Sequence, residues 1–134
     1  NGAAMGGGLE IALHCDYRIA SDDCVVALPE ARVGMIPAGG ATQTLSRVVG
    51  TSGALHAILR GERVAAPTAL QRGLVDEVVP RAALAPRTDA LADAIASRPD
   101  DAVRAAKALV WGALDVPIAE GLARESDLAT LLHA

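Results

Sequence analysis

The chain has 134 residues, 51% of them hydrophobic and 21% charged, which excludes a disordered segment and suits one domain able to bury a core without staples. Its 16 acidic and 12 basic residues leave a formal net charge of −4. They form no basic stripe, which argues against nucleic acid as a partner.

The chain opens at Asn1, inside a glycine-rich segment and without an initiator Met, and reads as a piece of a longer protein. Asn1 to Gly8 is expected to be a glycine-rich turn. Leu9, Ala12 and Leu13 fall at helical spacing behind Gly6-Gly7-Gly8, so the triplet is expected to open a short helix. Tyr17-Arg18-Ile19-Ala20 alternates like a strand, and Ser21-Asp22-Asp23 is a turn cluster. Cys24 to Leu28 reads as a second strand, ended by Pro29, which cannot donate to a ladder. Gly34 to Gly40 is a loop. Ala41 to Val49 reads as a helix closed by Gly50, and Ser52 can cap another through about Leu59. Pro67 to Gln71 makes a helical turn or two before Gly73, and Leu74-Val75 with Val78-Val79 forms a brief strand ended by Pro80.

The last third is helical. Leu84 to Ala96 should turn Leu84, Leu91 and Ile95 inward. Asp100-Asp101 heads the next helix, where acid suits the macrodipole, and Val103, Leu109, Val110 and Leu114 mark its apolar face. Pro117 opens a final helix, with Ile118, Leu122, Ala129 and Leu132 inward. With no Phe, one Trp and one Tyr, the core must be built from Ala, Val and Leu. The longest uncharged stretch, Val33 to Ser46, carries Pro, Gly, Thr, Gln and Ser, so no membrane span is expected, and no secretory signal is visible.

Two features stand out as candidate chemistry. Helix-start N–H groups have no intrahelical partner, and glycines let a ligand approach them, so Gly6-Gly7-Gly8 can bind an anion or hold an oxyanion. Taken alone, such a triplet more often marks a tight turn. Glu10 falls in the first turn of that helix, where the dipole favours the ionised form a general base needs. The commoner alternative is a solvated helix-start acid. Glu30 follows Pro29 at a strand end, where rigid elements position functional side chains, though a plain surface carboxylate is again commoner. Two carboxylates converging on one substrate can divide acid and base work. Spacing alone does not bring these two together. His14, His56 and His133 lack metal-ligand spacing, so no metal is expected, and Cys15 and Cys24 are expected to be buried reduced thiols.

In chain order, Asn1-Gly2-Ala3-Ala4-Met5-Gly6-Gly7-Gly8-Leu9-Glu10, Cys15-Asp16-Tyr17-Arg18-Ile19-Ala20, Leu28-Pro29-Glu30, Gly34-Met35-Ile36-Pro37, Thr42-Gln43, Arg47-Val48-Val49-Gly50 and Gly73-Leu74-Val75-Asp76 resemble the crotonase superfamily, best its enoyl-CoA hydratase branch. The resemblance implies an α/β fold: part of a ββα spiral core over residues 1–80, then a helical trimerisation region over 81–134. It implies Glu10 and Glu30 as the catalytic pair and Gly7 as an oxyanion-hole donor. Met5, Gly6, Pro29 and Ala38 are implied as substrate contacts. The implied reaction is syn addition of water to a trans-2-enoyl-CoA in fatty acid β-oxidation, with no metal or redox cofactor. The implied setting is a cytoplasmic homotrimer or dimer of trimers with no membrane partner. Isomerase or thioester hydrolase activity, or a truncated oligomerisation fragment without catalysis, are the alternatives. The chain departs from the pattern at Ala38-Gly39-Gly40-Ala41, at Thr44 and Ser46, and at Val26-Ala27, where the family usually has an aromatic-Gly pair. The family is also longer, and its other half would supply the second oxyanion donor and most of the nucleotide pocket.

Overall fold

The computed structural model describes residues 1–133; Ala134, the last residue of the expected helical region, lies outside them. The chain divides into two compact units, Asn1–Thr88 and the residues from Asp89 on.

The first unit is mixed α/β. Its elements are β1 (Ala3–Met5), α1 (Gly7–Leu13), β2 (Ile19–Ser21), β3 (Val25–Ala27), α2 (Ala41–Arg60), β4 (Val64–Ala65), α3 (Ala66–Gln71) and β5 (Glu77–Val79), with 3₁₀ turns at Glu30–Val33 and Arg81–Ala83. β3 lies between β1 and β4 in one sheet, parallel to β1 and antiparallel to β4. β2 and β5 form a second, parallel pair. The register Ala3↔Val25 through Met5↔Ala27 makes β1 and β3 end side by side. In open parallel sheets, the space beyond the carboxyl ends of the strands is where ligands bind. Both the Gly6-Gly7-Gly8 segment and Glu30 emerge there.

Leu13, Leu28 and Leu45 are fully buried at the centre of the core, and such burial stabilises by roughly 1.5–3 kcal/mol per side chain. Leu9, Val26, Val64 and Leu74 join the same cluster. α1 and the 3₁₀ turn at Glu30 both pack against α2. The glycine-rich opening is therefore a short, partly buried strand plus a helix start rather than a turn. Short Ala-rich β1 carries almost no alternation to reveal it, and two-residue β4 carries less.

Two stretches of the family resemblance meet in one structural tether. The Arg18 guanidinium donates to the carbonyls of Leu74 (3.0 Å) and Cys15 (3.1 Å) and to Asp76 Oδ1 (3.1 Å), while the Arg18 N–H donates to Asp76 Oδ2 at 2.8 Å. This bonding holds Leu74 and Val75 as a buried connector rather than as strand. It also starts β2 at Ile19, later than the alternation predicts. Nearby, the Ser21 hydroxyl and the Arg81 guanidinium donate to Asp23, and they hold its carboxyl below the usual aspartate range.

α2 runs from Ala41 to Arg60 with a break at Gly50 (φ 74°, ψ 166°), where the sequence places a helix end. Cys24 is buried as expected, whereas Cys15 is exposed, because it follows α1 on the side away from the core residue Leu13.

α4 (Leu84–Ala96), α5 (Asp100–Gly112) and α6 (Ile118–His133) follow closely the predicted helices. Their apolar faces differ from expectation. None of the three contains a fully buried residue, and Val110, Leu114 and Ile118 are 74%, 71% and 81% exposed. α5 and α6 pack on each other, but their contact leaves these side chains uncovered. Among the described residues, no helix is long and apolar enough to cross a membrane.

Candidate active site

Gly6 is the hinge of the site. It sits between β1 and α1 at φ 51° and ψ −123°, a backbone region that residues with a Cβ avoid. Its N–H donates to the Ala27 carbonyl at 2.9 Å, stitching the end of β1 to the end of β3. Its carbonyl accepts from the N–H groups of Leu9 (2.9 Å) and Glu10 (3.0 Å), which starts α1. Gly7 and Gly8 follow as the first residues of α1, both exposed, and a Cβ at either would meet nothing within 4 Å.

Glu10 is buried, only 5% exposed. Its Oε1 accepts from the N–H of Gly39 at 2.7 Å and of Ala41 at 3.1 Å. The solvated helix-start acid is thereby excluded: this carboxylate is held by two backbone donors, one in the loop before α2 and one in the first residue of α2. Two such charge-assisted bonds lock the side chain and help offset its burial. The loop comes close because it carries glycine; a Cβ at Gly39 would lie 2.8 Å from Glu10 Oε2 and 3.3 Å from its Cβ. Gly40, at φ 103°, turns the loop into the first residue of α2.

Glu30 opens the 3₁₀ turn after Pro29 and is partly buried. Its Oε1 lies 2.7 Å from where a Cβ on Gly6 would stand. Its Oε2 is buried with no hydrogen-bond partner. A buried acceptor left open is costly, and in a native site it points to a water or ligand proton that completes it. The ordinary surface carboxylate is excluded here too.

Gly6 thus links the two glutamates. Its carbonyl caps the Glu10 N–H, and its α-carbon faces the Glu30 carboxylate. Met5, partly buried, ends β1 beside Gly6, and Pro29, also partly buried, precedes Glu30. Ala38 is exposed in the loop whose next N–H binds Glu10. Sequence reasoning missed the Gly39 and Ala41 donors and also His14, whose Nε2 stands 2.9 Å from the Gly39 carbonyl oxygen. For His14 the signal was its place four residues after Glu10, on the same helical face. For the backbone donors, only the Gly39-Gly40 doublet was visible. Among the described residues, no group of three or more His, Cys, Asp or Glu could hold a metal ion.

Residues 1–133 match the family described as enoyl-CoA hydratase/isomerase. The chain belongs to that family. YngF of Bacillus subtilis strain 168, which carries an enoyl-CoA hydratase/isomerase name, is 44% identical over 125 residues, 93% of this chain and 48% of the relative. The solved enoyl-CoA hydratase of Bacillus anthracis is similar over 100% of this chain and 52% of its own, at 37% identity and a TM-score of 0.95. The Pseudomonas aeruginosa protein DspI is 43% identical, covering 99% and 51%, with a TM-score of 0.93. The chain therefore spans about half the length of the relatives it matches. Its α/β architecture is a partial crotonase core followed by C-terminal helices.

Proposed function

We propose that the whole protein adds water across the C2–C3 double bond of a trans-2-enoyl-CoA, giving a 3-hydroxyacyl-CoA. The observation that carries this reading is the differing state of the two glutamates around Gly6. Glu10 is oriented by two N–H donors, as a base with a fixed direction must be. Glu30 keeps a buried oxygen open, as a group waiting for a water or a proton does. Proton shuttling between carbons of a substrate can be done by one such group, whereas adding water has both a proton to remove and a proton to deliver. The pair therefore favours hydration over isomerisation.

In this mechanism Glu10 takes a proton from water as its oxygen bonds to C3. The C2–C3 π electrons move onto the thioester, forming an enolate whose oxygen accepts from the Gly7 N–H. Glu30, protonated at the start, holds the same water and delivers its proton to C2 as the carbonyl re-forms; the proton that Glu10 took from the water then replaces the one Glu30 gave, which resets the pair. Met5, Gly6, Pro29 and Ala38 line the approach of the substrate. No metal or redox cofactor takes part. The same reading extends to a cytoplasmic homotrimer or dimer of trimers acting in fatty acid β-oxidation; the exposed apolar faces of α5 and α6 support assembly.

The test is hydration of a short enoyl-CoA by the whole protein, followed through loss of enoyl thioester absorbance. Glu10→Gln and Glu30→Gln should each slow turnover ~10²–10⁴-fold, the usual loss for a general acid or base, with the fold intact by circular dichroism. Near-normal turnover in either variant rejects the two-glutamate mechanism.

A further inference from the structure

We propose that His14 is a positioning residue for Glu10, gripping the carbonyl of Gly39, the loop residue whose N–H holds the Glu10 carboxylate. This rests on the reading of Glu10 as the base. His14 is the residue at the end of α1, four after Glu10, with helical φ and ψ of −83° and −8°. That spacing puts both side chains on one face. Glu10 Oε1 accepts from the N–H of Gly39 and of Ala41. His14 Nε2 stands 2.9 Å from the oxygen of Gly39. A carbonyl oxygen can only accept, so Nε2 carries the proton and donates. Gly39 is thus held from both sides by one helix: its N–H by Glu10 and its C=O by His14.

The fit is close. A Cβ on Gly40 would lie 2.8 Å from His14 Nε2, just as one on Gly39 would lie 2.8 Å from Glu10 Oε2. The two glycines are the places where the loop rests on the two side chains. Glu10 has one carboxylate to orient, and of its two donors Ala41 starts α2 whereas Gly39, which makes the shorter contact, belongs to a loop. Loop backbone is the most mobile part of a fold unless tied down. The bond from His14 supplies that tie at the residue whose N–H makes the shorter contact to Glu10. Without it, Gly39 is free to turn about its backbone bonds and the Glu10 carboxylate keeps only the Ala41 N–H as a fixed donor, a loosening felt in the chemical step more than in substrate binding.

The experiment compares His14→Leu, which removes the donor, with His14→Gln, which keeps an N–H, in the whole protein. Steady-state hydration of a short enoyl-CoA is measured beside hydrogen exchange of the backbone amides around Gly39 to Ala41. We expect His14→Leu to lower kcat by about threefold to tenfold, the size of one hydrogen bond expressed in the transition state, with KM little changed. The amides of the loop should exchange faster, and His14→Gln should restore most of both. Wild-type exchange or wild-type kcat in His14→Leu overturns the proposal, as does a Gln variant as impaired as the Leu variant. Glu10→Gln is run alongside: full turnover there defeats the reading of Glu10 as base, while the exchange data still decide whether His14 holds the loop.

Discussion

In Gly6→Ala a single methyl group meets two obstacles of different kinds. The first is the backbone: φ 51° with ψ −123° is a conformation that costs an L-residue ~1–3 kcal/mol. The second is Glu30, whose Oε1 lies 2.7 Å from the new Cβ. Real Cβ contacts are ordinary at 3.4–4 Å, so the carboxylate must swing away. A flexible side chain yields cheaply, so this second obstacle costs function more than stability. Gly8→Ala is the control, because a Cβ there meets nothing within 4 Å and alanine in a helix is favoured over glycine by roughly 0.5–1 kcal/mol. Urea unfolding of the whole protein reads the first obstacle. With a slope of ~1–3 kcal/mol/M, a loss near 2 kcal/mol moves the midpoint down by about 1 M. Enoyl-CoA hydration reads the second, and the loss of turnover should exceed what the fraction unfolded explains. Equal midpoints for Gly6→Ala and Gly8→Ala would refute the backbone argument. A destabilised Gly6→Ala protein with unchanged turnover per folded molecule would refute the placement of Glu30.

Two further outcomes follow from other parts of the molecule. Asp23 is held below its ordinary value of 3.8 by the Ser21 hydroxyl and the Arg81 guanidinium, so the native state releases this proton more readily than the unfolded chain. Its contribution is present above that value and lost as pH falls through the lower native one; the stability gap between wild type and Asp23→Asn should therefore shrink on acidification, and a pH-independent gap speaks against it. The 134-residue chain by itself leaves Val110, Leu114, Ile118 and Leu122 exposed on and beside α5 and α6. Apolar patches of this kind drive association, so sedimentation should show self-associated species, and a compact monomer would contradict this.

The helices were legible in the sequence because their signals are local. Apolar spacing, Asp100-Asp101 at a helix head, Pro117 before one and Gly50 at a break each act within a turn or two of chain. Glu10 and Glu30 were legible as candidates for the same reason: one follows a glycine triplet, the other a proline that ends a strand. Their states were not legible. Glu10 is buried because the N–H groups of Gly39 and Ala41 reach it from 29 and 31 residues away, and periodicity cannot show that pairing. Glu30 faces Gly6 because β1 and β3 run parallel and in register, and β1 is too short and too Ala-rich to announce itself as a strand. The apolar stripes of α5 and α6 illustrate the converse. Periodicity marks which face of a helix is apolar, but only the presence of a packing partner decides whether that face is buried. Local physics chose the elements and the candidate residues; long-range backbone pairing decided which carboxylate is anchored and which is left open.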